Sequence, residues 1–315
     1  MKSGAARPGT LAFSPNFLNE SSRIMTAQAA IFDLIPDHAR HLFFELNSAV
    51  DPRDALQALA IACDGRSAVL GIGQSVIQAL GGEIAGLRAF PLLPDAQPAI
   101  PVTQQALWLW LRGDEPGDLL LHGHALQALI APAFKLTQAV VSFRHQDCRD
   151  LTGYEDGTEN PKDEAAIEAA LAQGLGAGID GSSFAAVQQW LHDFPVFDAM
   201  SRREQNNCFG RDQESNEELD DAPKSAHVKR TAQEDFEPEA FVVRRSMPWV
   251  EGADAGLVFL AFGKSFDAFE AQLRRMTGHD DGITDALFRF TRPLTGGYYW
   301  CPPVVDGVID LTALG

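Results

Sequence analysis

Gly153-Tyr154-Glu155-Asp156-Gly157-Thr158-Glu159-Asn160-Pro161 sets Asp156 between two glycines and runs directly into a helix start. Asp-Gly pairs form turns, because glycine accepts the backbone angles that a tight reversal requires. The extension to Asn160-Pro161 is more specific, since it holds the acid just ahead of a helix capped by Asn160 with Pro161 in its first turn. Two later stretches complete the reading. Ser225-Ala226-His227-Val228-Lys229-Arg230 offers an imidazole, and Val243-Arg244-Arg245-Ser246-Met247-Pro248 offers a guanidinium.

Working outward, the elements alternate without the strict strand-then-helix rhythm of a doubly wound sheet. Strands are expected at 41–46, 68–72, 107–111, 134–143, 184–191, 241–247 and 256–262, and helices at 52–63, 75–80, 116–129, from 161 toward Gly174, 194–209 and 265–276. The glycines at 174, 176, 178 and 181 read as a linker. The stretches 42–60 and 257–276 share a strand followed by a capped helix, which suggests a duplicated unit. The expected class is α+β, with a flexible tail over residues 1–25, a first unit over 26–150, the acid-bearing loop, helix and linker over 151–181, and a second unit over 182–315.

Composition narrows the function. The chain has 315 residues, with 25 basic against 43 acidic side chains and a formal charge of −18. Such a charge repels phosphate backbones and anionic lipid, so neither nucleic acid nor a membrane surface is an expected partner. Cys63, Cys148, Cys208 and Cys301 are widely spaced, without a C-x-x-C pair for zinc or covalent haem attachment. Scattered thiols fit a reducing compartment. No apolar run reaches the length of a membrane span, and the first 25 residues lack the core of a secretory signal. A cytoplasmic location is expected.

An acid, a histidine and an arginine suit peroxide chemistry at a haem. Iron needs an axial ligand, commonly an imidazole whose second nitrogen donates to a carboxylate. Peroxide cleavage needs a group that relays a proton and a positive charge near the departing oxygen. Of the eight histidines, His227 stands apart, with Lys229 and Arg230 beside it and Arg244 and Arg245 following.

These segments, in this order, resemble the dye-decolourising peroxidase family, most closely its class B bacterial branch, over residues 27–310. The resemblance implies two ferredoxin-like domains with antiparallel sheets, haem b being held mainly by the second, one per chain and without a covalent bond. It implies His227 as the iron ligand, Asp285 as its acid partner, Asp156 and Arg244 as the peroxide-handling pair, and Arg211 as a propionate contact. Gly157, Thr158 and Arg230 are expected beside the cofactor. Ser246 stands where some members carry asparagine. The implied activity is reduction of hydrogen peroxide through an oxo-ferryl state that oxidises dyes, phenols or other aromatic one-electron donors, in a homo-oligomer. Rival readings are a haem-binding protein for iron recovery, the cargo of a protein shell, and a chlorite-splitting enzyme on a related fold.

Overall fold

The computed structural model describes residues 26–94 and 96–315, so the expected tail at 1–25 lies outside the described residues. In chain order the first half contains β1 (His38–Leu46), α1 (Arg53–Ala62), β2 (Ala68–Ile72), α2 (Gln74–Ala79), β3 (Leu107–Gly113), α3 (Pro116–Ile130) and β4 (Phe134–Phe143). After α4 (Asp163–Ala170) come β5 (Ser183–His192), α5 (Phe194–Asp198), α6 (Arg202–Phe209) and the single turn α7 (His227–Arg230). The chain continues with β6 (Val243–Arg244), β7 (Met247–Glu251), β8 (Asp254–Gly263), α8 (Asp267–Met276), β9 (Thr291–Pro293) and β10 (Gly297–Cys301).

Strand order reveals the duplication. The first half pairs as β4-β1-β3-β2, and the second as β9/β10, β5, β8, β6/β7, all antiparallel. Each is the βαββαβ order of a ferredoxin-like unit. The units also pair with each other, Trp300 of β10 with Ile72 of β2 and Trp249 of β7 with Ser142 of β4. The sheet therefore closes into a barrel. The duplicated stretches are not those expected from sequence. Residues 257–276 form the third strand and second helix of their unit, so their counterpart is β3 with α3, not β1 with α1.

Alternation along each strand sorts side chains between the two faces of the barrel. Val69, Trp108, Trp110, Val187, Val258, Phe262 and Tyr299 meet inside, where Ile167 and Ala170 of α4 join them. Leu70, Leu107, Leu109, Leu111, Phe184 and Trp300 face outward and pack in a second cluster with α1, α3 and α8. Both faces are covered, which is why Leu107-Trp-Leu-Trp-Leu111 is apolar without alternation. His41 lies inside, between Trp108 and Trp110, with ring centroids 6.0 and 6.2 Å away. Burial lowers its pKa to about 3, and it stays neutral, accepting from Trp108 Nε1 at 3.3 Å.

Four local expectations need correction. The helix expected at 194–209 is broken, because Ser201 and Glu204 cap each other reciprocally and start α6 afresh. The strand expected at 241–247 forms only as β6 and then β7, both in register with β8. The helix after Pro161 begins at Asp163 behind Lys162, and Asn160 is used elsewhere. The glycine-rich segment ending at Gly181 is a closed loop rather than a slack tether, pinned by Ala172 N to Ser182 O at 2.9 Å and Gly181 N to Ala172 O at 3.0 Å.

Candidate functional site

The outward faces of β5 and β8 carry Gln188, Trp190, His192, Leu257 and Phe259, and α8 offers Phe269, Gln272, Leu273 and Met276 across from them. Between these layers lies a cavity with about 1690 Å³ of empty space, its mouth included. Its facing walls, one a sheet surface and one a helix, can admit a planar group between them. His227, Asp156, Thr158, Arg211 and Arg244 all line this one cavity. Four segments far apart in sequence supply them.

His227 opens α7. Its Nδ1 lies 2.7 Å from Asp285 Oδ2, and the other oxygen of Asp285 accepts from Leu287 N at 2.9 Å. Asp285 is 1% exposed, so its acceptors are committed to partners of the protein. The Ala286 amide donates to Ser225 O at 2.7 Å, tying the acid's segment to the residues just before the histidine. Gly210, at φ +84 after α6, makes room beneath, since a Cβ there would lie 2.3 Å from Val228 Cγ2. With Nδ1 occupied as donor, Nε2 is the ring's free lone pair.

Asp156 sits on a hairpin. Arg149 and Glu155 form an antiparallel bridge, and Asp156 N donates to Cys148 O at 3.3 Å. Arg149 fastens the turn through Gly153 O at 2.8 Å, Gln213 O at 3.0 Å and Glu155 Oε1 at 2.8 Å. Asp156 Oδ1 and Arg244 Nη1 stand 3.8 Å apart. That separation is an ion pair without a direct hydrogen bond, so both groups keep capacity for a small polar molecule. Arg211 reaches Asn216 O at 2.9 Å and pairs with Glu159, and Lys229 pairs with Glu218.

Other expected site residues are placed differently. Arg230 is buried, but its guanidinium is spent on Asp281 at 2.7 and 2.8 Å and on Arg275 O, and it does not line the cavity. Ser246 is also off the cavity wall; its hydroxyl faces Leu260 N at 3.5 Å. Gly157 is not on the wall either, and its role is conformational, at φ +78.

The structure adds a second histidine–acid pair on the same wall, His192 with Asp150. His192 Nε2 meets Asp150 Oδ1 at 2.9 Å and Nδ1 meets Thr291 Oγ1 at 2.7 Å, with all three residues on the cavity wall. Burial raises the Asp150 carboxyl, but the hydrogen bond and charge of His192, with two donors from Thr152, outweigh it and leave the pKa below 3.8. Nothing local marks this pair, since 42 residues separate its members.

A haem suits this donor set. An imidazole with a committed Nδ1 can ligate iron, Arg211 can meet a propionate, and Val228, Leu287, Phe290 and Phe259 give the apolar contact a macrocycle needs. Gln188 Nε2, buried at the same wall, lacks a partner among the described residues, a donor that an acceptor-bearing ligand would satisfy.

Two ferredoxin-like units closed into one barrel, with a carboxylate-backed imidazole and an acid–guanidinium pair sharing a cavity, define a haem-dependent oxidoreductase. Residues 147–306 match the family model for the C-terminal part of Dyp-type peroxidases. The dye-decolorizing peroxidase of Mycolicibacterium paratuberculosis is 31% identical over 258 residues, covering 76% of this chain and 70% of that one. A variant of DypB from Rhodococcus jostii in complex with heme has a TM-score of 0.80 at 26% identity, covering 87% of this chain and 95% of that one. A dye-decolorizing protein from V. cholerae gives 0.77 at 26%, covering 87% and 96%. The chain belongs to the Dyp-type peroxidase family: it is a haem peroxidase that binds its cofactor non-covalently. No helix among the described residues is long and apolar enough to cross a membrane.

Proposed function

We propose that this chain reduces hydrogen peroxide at a haem ligated by His227 Nε2, using Asp156 and Arg244, and draws single electrons from aromatic donors such as dyes or phenols. The observation that carries it is the convergence of the His227–Asp285 pair and the Asp156–Arg244 pair on one cavity. Haem in this site supplies the iron that binds peroxide and holds the oxidising equivalents.

The protein's own groups do the rest. Asp285 accepts a hydrogen bond from Nδ1–H, which fixes the ring's tautomer and makes Nε2 a stronger electron-pair donor. Asp156 would relay a proton from one oxygen of hydrogen peroxide to the other, so that the second could leave as water. Arg244 Nη1, 3.8 Å from Asp156 Oδ1, stabilises the negative charge that builds up as the O–O bond breaks. Arg211, which pairs with Glu159, would be the cation to meet a propionate, and Thr158 would line the cofactor's pocket. Ser246 and Arg230 act only through the structure around them.

A protein that merely stored haem would need His227 and Arg211 but would leave the acid–arginine pair idle. Four free cysteines support a cytoplasmic site of action. Exposed Ile61 beside Val305 and Val308 supports self-association, to be measured by sedimentation. The central test is the absorption spectrum of the haem-loaded protein before and after one equivalent of peroxide. A rapid change of the Soret band that aromatic donors reverse supports the reading; an inert band refutes it.

A further inference from the structure

One amide side chain grips the backbone of Arg244 from both directions. Asn160 Oδ1 accepts from Arg244 N at 2.8 Å, and Asn160 Nδ2 donates to Arg244 O at 3.0 Å. The side chain thus takes the place that a neighbouring strand would occupy beside β6. Gln233 repeats the arrangement one step away. Its Nε2 donates to Glu159 O at 2.8 Å and its Oε1 accepts from Val242 N at 3.0 Å.

Two carboxamides therefore stitch the loop of Asp156 to the strand of Arg244. Gln233 is 5% exposed and lies six residues after His227, so it also ties in the segment that follows the iron ligand. Gly157 makes the closer stitch possible. The Asn160 backbone N–H donates to Gly157 O at 3.0 Å, and a Cβ at Gly157 would stand 2.9 Å from Asn160 Nδ2.

We propose that Asn160, backed by Gln233, is a positioning residue for peroxide cleavage: it holds the guanidinium of Arg244 in register with the carboxylate of Asp156. The proposal rests on the roles given above to those two residues. An amide is suited to the task because it offers one donor and one acceptor in a single plane, matching the N–H and C=O of one residue. A helix cap would not need both. Proton relay and charge stabilisation depend on sub-ångström placement, so a looser Arg244 slows peroxide cleavage without touching the iron ligand or the reductant's route.

The experiment uses haem-loaded wild type, Asn160→Ala, Asn160→Asp, Arg244→Leu and the double variant Asn160→Ala with Arg244→Leu. Asn160→Asp is isosteric; it keeps the acceptor for Arg244 N and loses the donor to Arg244 O. Stopped-flow mixing gives the rate constant with hydrogen peroxide, and steady-state assays give kcat/KM for a reducing dye. The expected result is a peroxide rate constant lower by about tenfold or more in Asn160→Ala, and intermediate in Asn160→Asp. Resting spectrum and kcat/KM for the dye remain those of wild type, and Asn160→Ala adds nothing once Arg244 is gone.

Unchanged peroxide rates in both Asn160 variants overturn the proposal. So does an equal further loss in the double variant, or a parallel fall in haem retention and dye kcat/KM, which would mark a merely structural residue. Arg244→Leu reacting at wild-type speed overturns the underlying reading and this proposal together. A slow Arg244→Leu beside an unaffected Asn160→Ala overturns this proposal alone.

Discussion

Asp285 and His227, 58 residues apart in sequence, are joined by a 2.7 Å contact whose acid is almost wholly withdrawn from solvent. The second carboxylate oxygen is held by Leu287 N, so the acid cannot rotate away from the ring. Replacing it should be felt at the iron. In Asp285→Ala the imidazole loses its acceptor and its orientation, and haem affinity is expected to fall about 10–100-fold. Haem titration followed at the Soret band measures this. Affinity equal to that of wild type would remove Asp285 from the site.

Asp156→Asn removes the proton relay and is expected to slow the reaction with peroxide about 10²–10⁴-fold. Arg244→Leu removes the charge and is expected to cost about 10²–10³-fold. Because the groups face each other, the double variant should lose less than the product of the two. Ser246→Ala, with its hydroxyl off the cavity wall, should react at close to the wild-type rate. Stopped-flow rate constants decide all four, and a strongly impaired Ser246→Ala would restore that hydroxyl to the peroxide site.

The Asp150–His192 pair makes a prediction about acid stability. The folded carboxyl lies below its ordinary value of 3.8, so its contribution is present at higher pH and is lost as pH falls through the depressed folded value. Asp150→Asn should therefore lower stability at about pH 7 by roughly 1–3 kcal/mol, the scale for weakening hydrogen bonds to a charged group. The same variant should show a shallower loss on acidification. Urea unfolding at several pH values tests both, and parallel curves for variant and wild type would contradict the assignment.

Gly210 and Gly174 provide a matched contrast. Both have positive φ, at +84 and +73, but a Cβ at Gly210 would collide with Val228 while one at Gly174 meets nothing within 4 Å among the described residues. Gly174→Ala should cost only the left-handed backbone penalty, about 1 kcal/mol. Gly210→Ala should cost more, roughly 2–4 kcal/mol once the clash is added, and should weaken haem retention because Val228 follows His227 directly. Chemical denaturation and haem transfer to apomyoglobin measure the two effects. Equal costs for the two glycines would mean that Val228 yields freely.

Much of this site was legible because its residues lie in short, distinctive strings. The turn around Asp156 and the runs holding His227 and Arg244 stand out locally, and they meet on one cavity. Asn160 was visible but misread, since an Asn-Pro step before two acids has the chemistry of a helix start; only the tertiary fold shows its amide spent on Arg244. Asp150 and His192 have no local pattern to betray them. Arg230 sits beside the histidine in sequence, but a helical turn carries its guanidinium to Asp281. Closure of the barrel was equally hidden, because it depends on two edge contacts, Trp300 with Ile72 and Trp249 with Ser142. The apolar run from Leu107 to Leu111 hinted only that both faces of its strand are covered.

Those two seams make the halves mutually dependent. A fragment carrying only the cofactor-holding half would bare β7 and β10 as raw hydrogen-bonding borders, each an invitation to stack on a neighbouring molecule. Severed between residues 150 and 182, the polypeptide should clump when either piece is made alone and regain haem only when both are produced together.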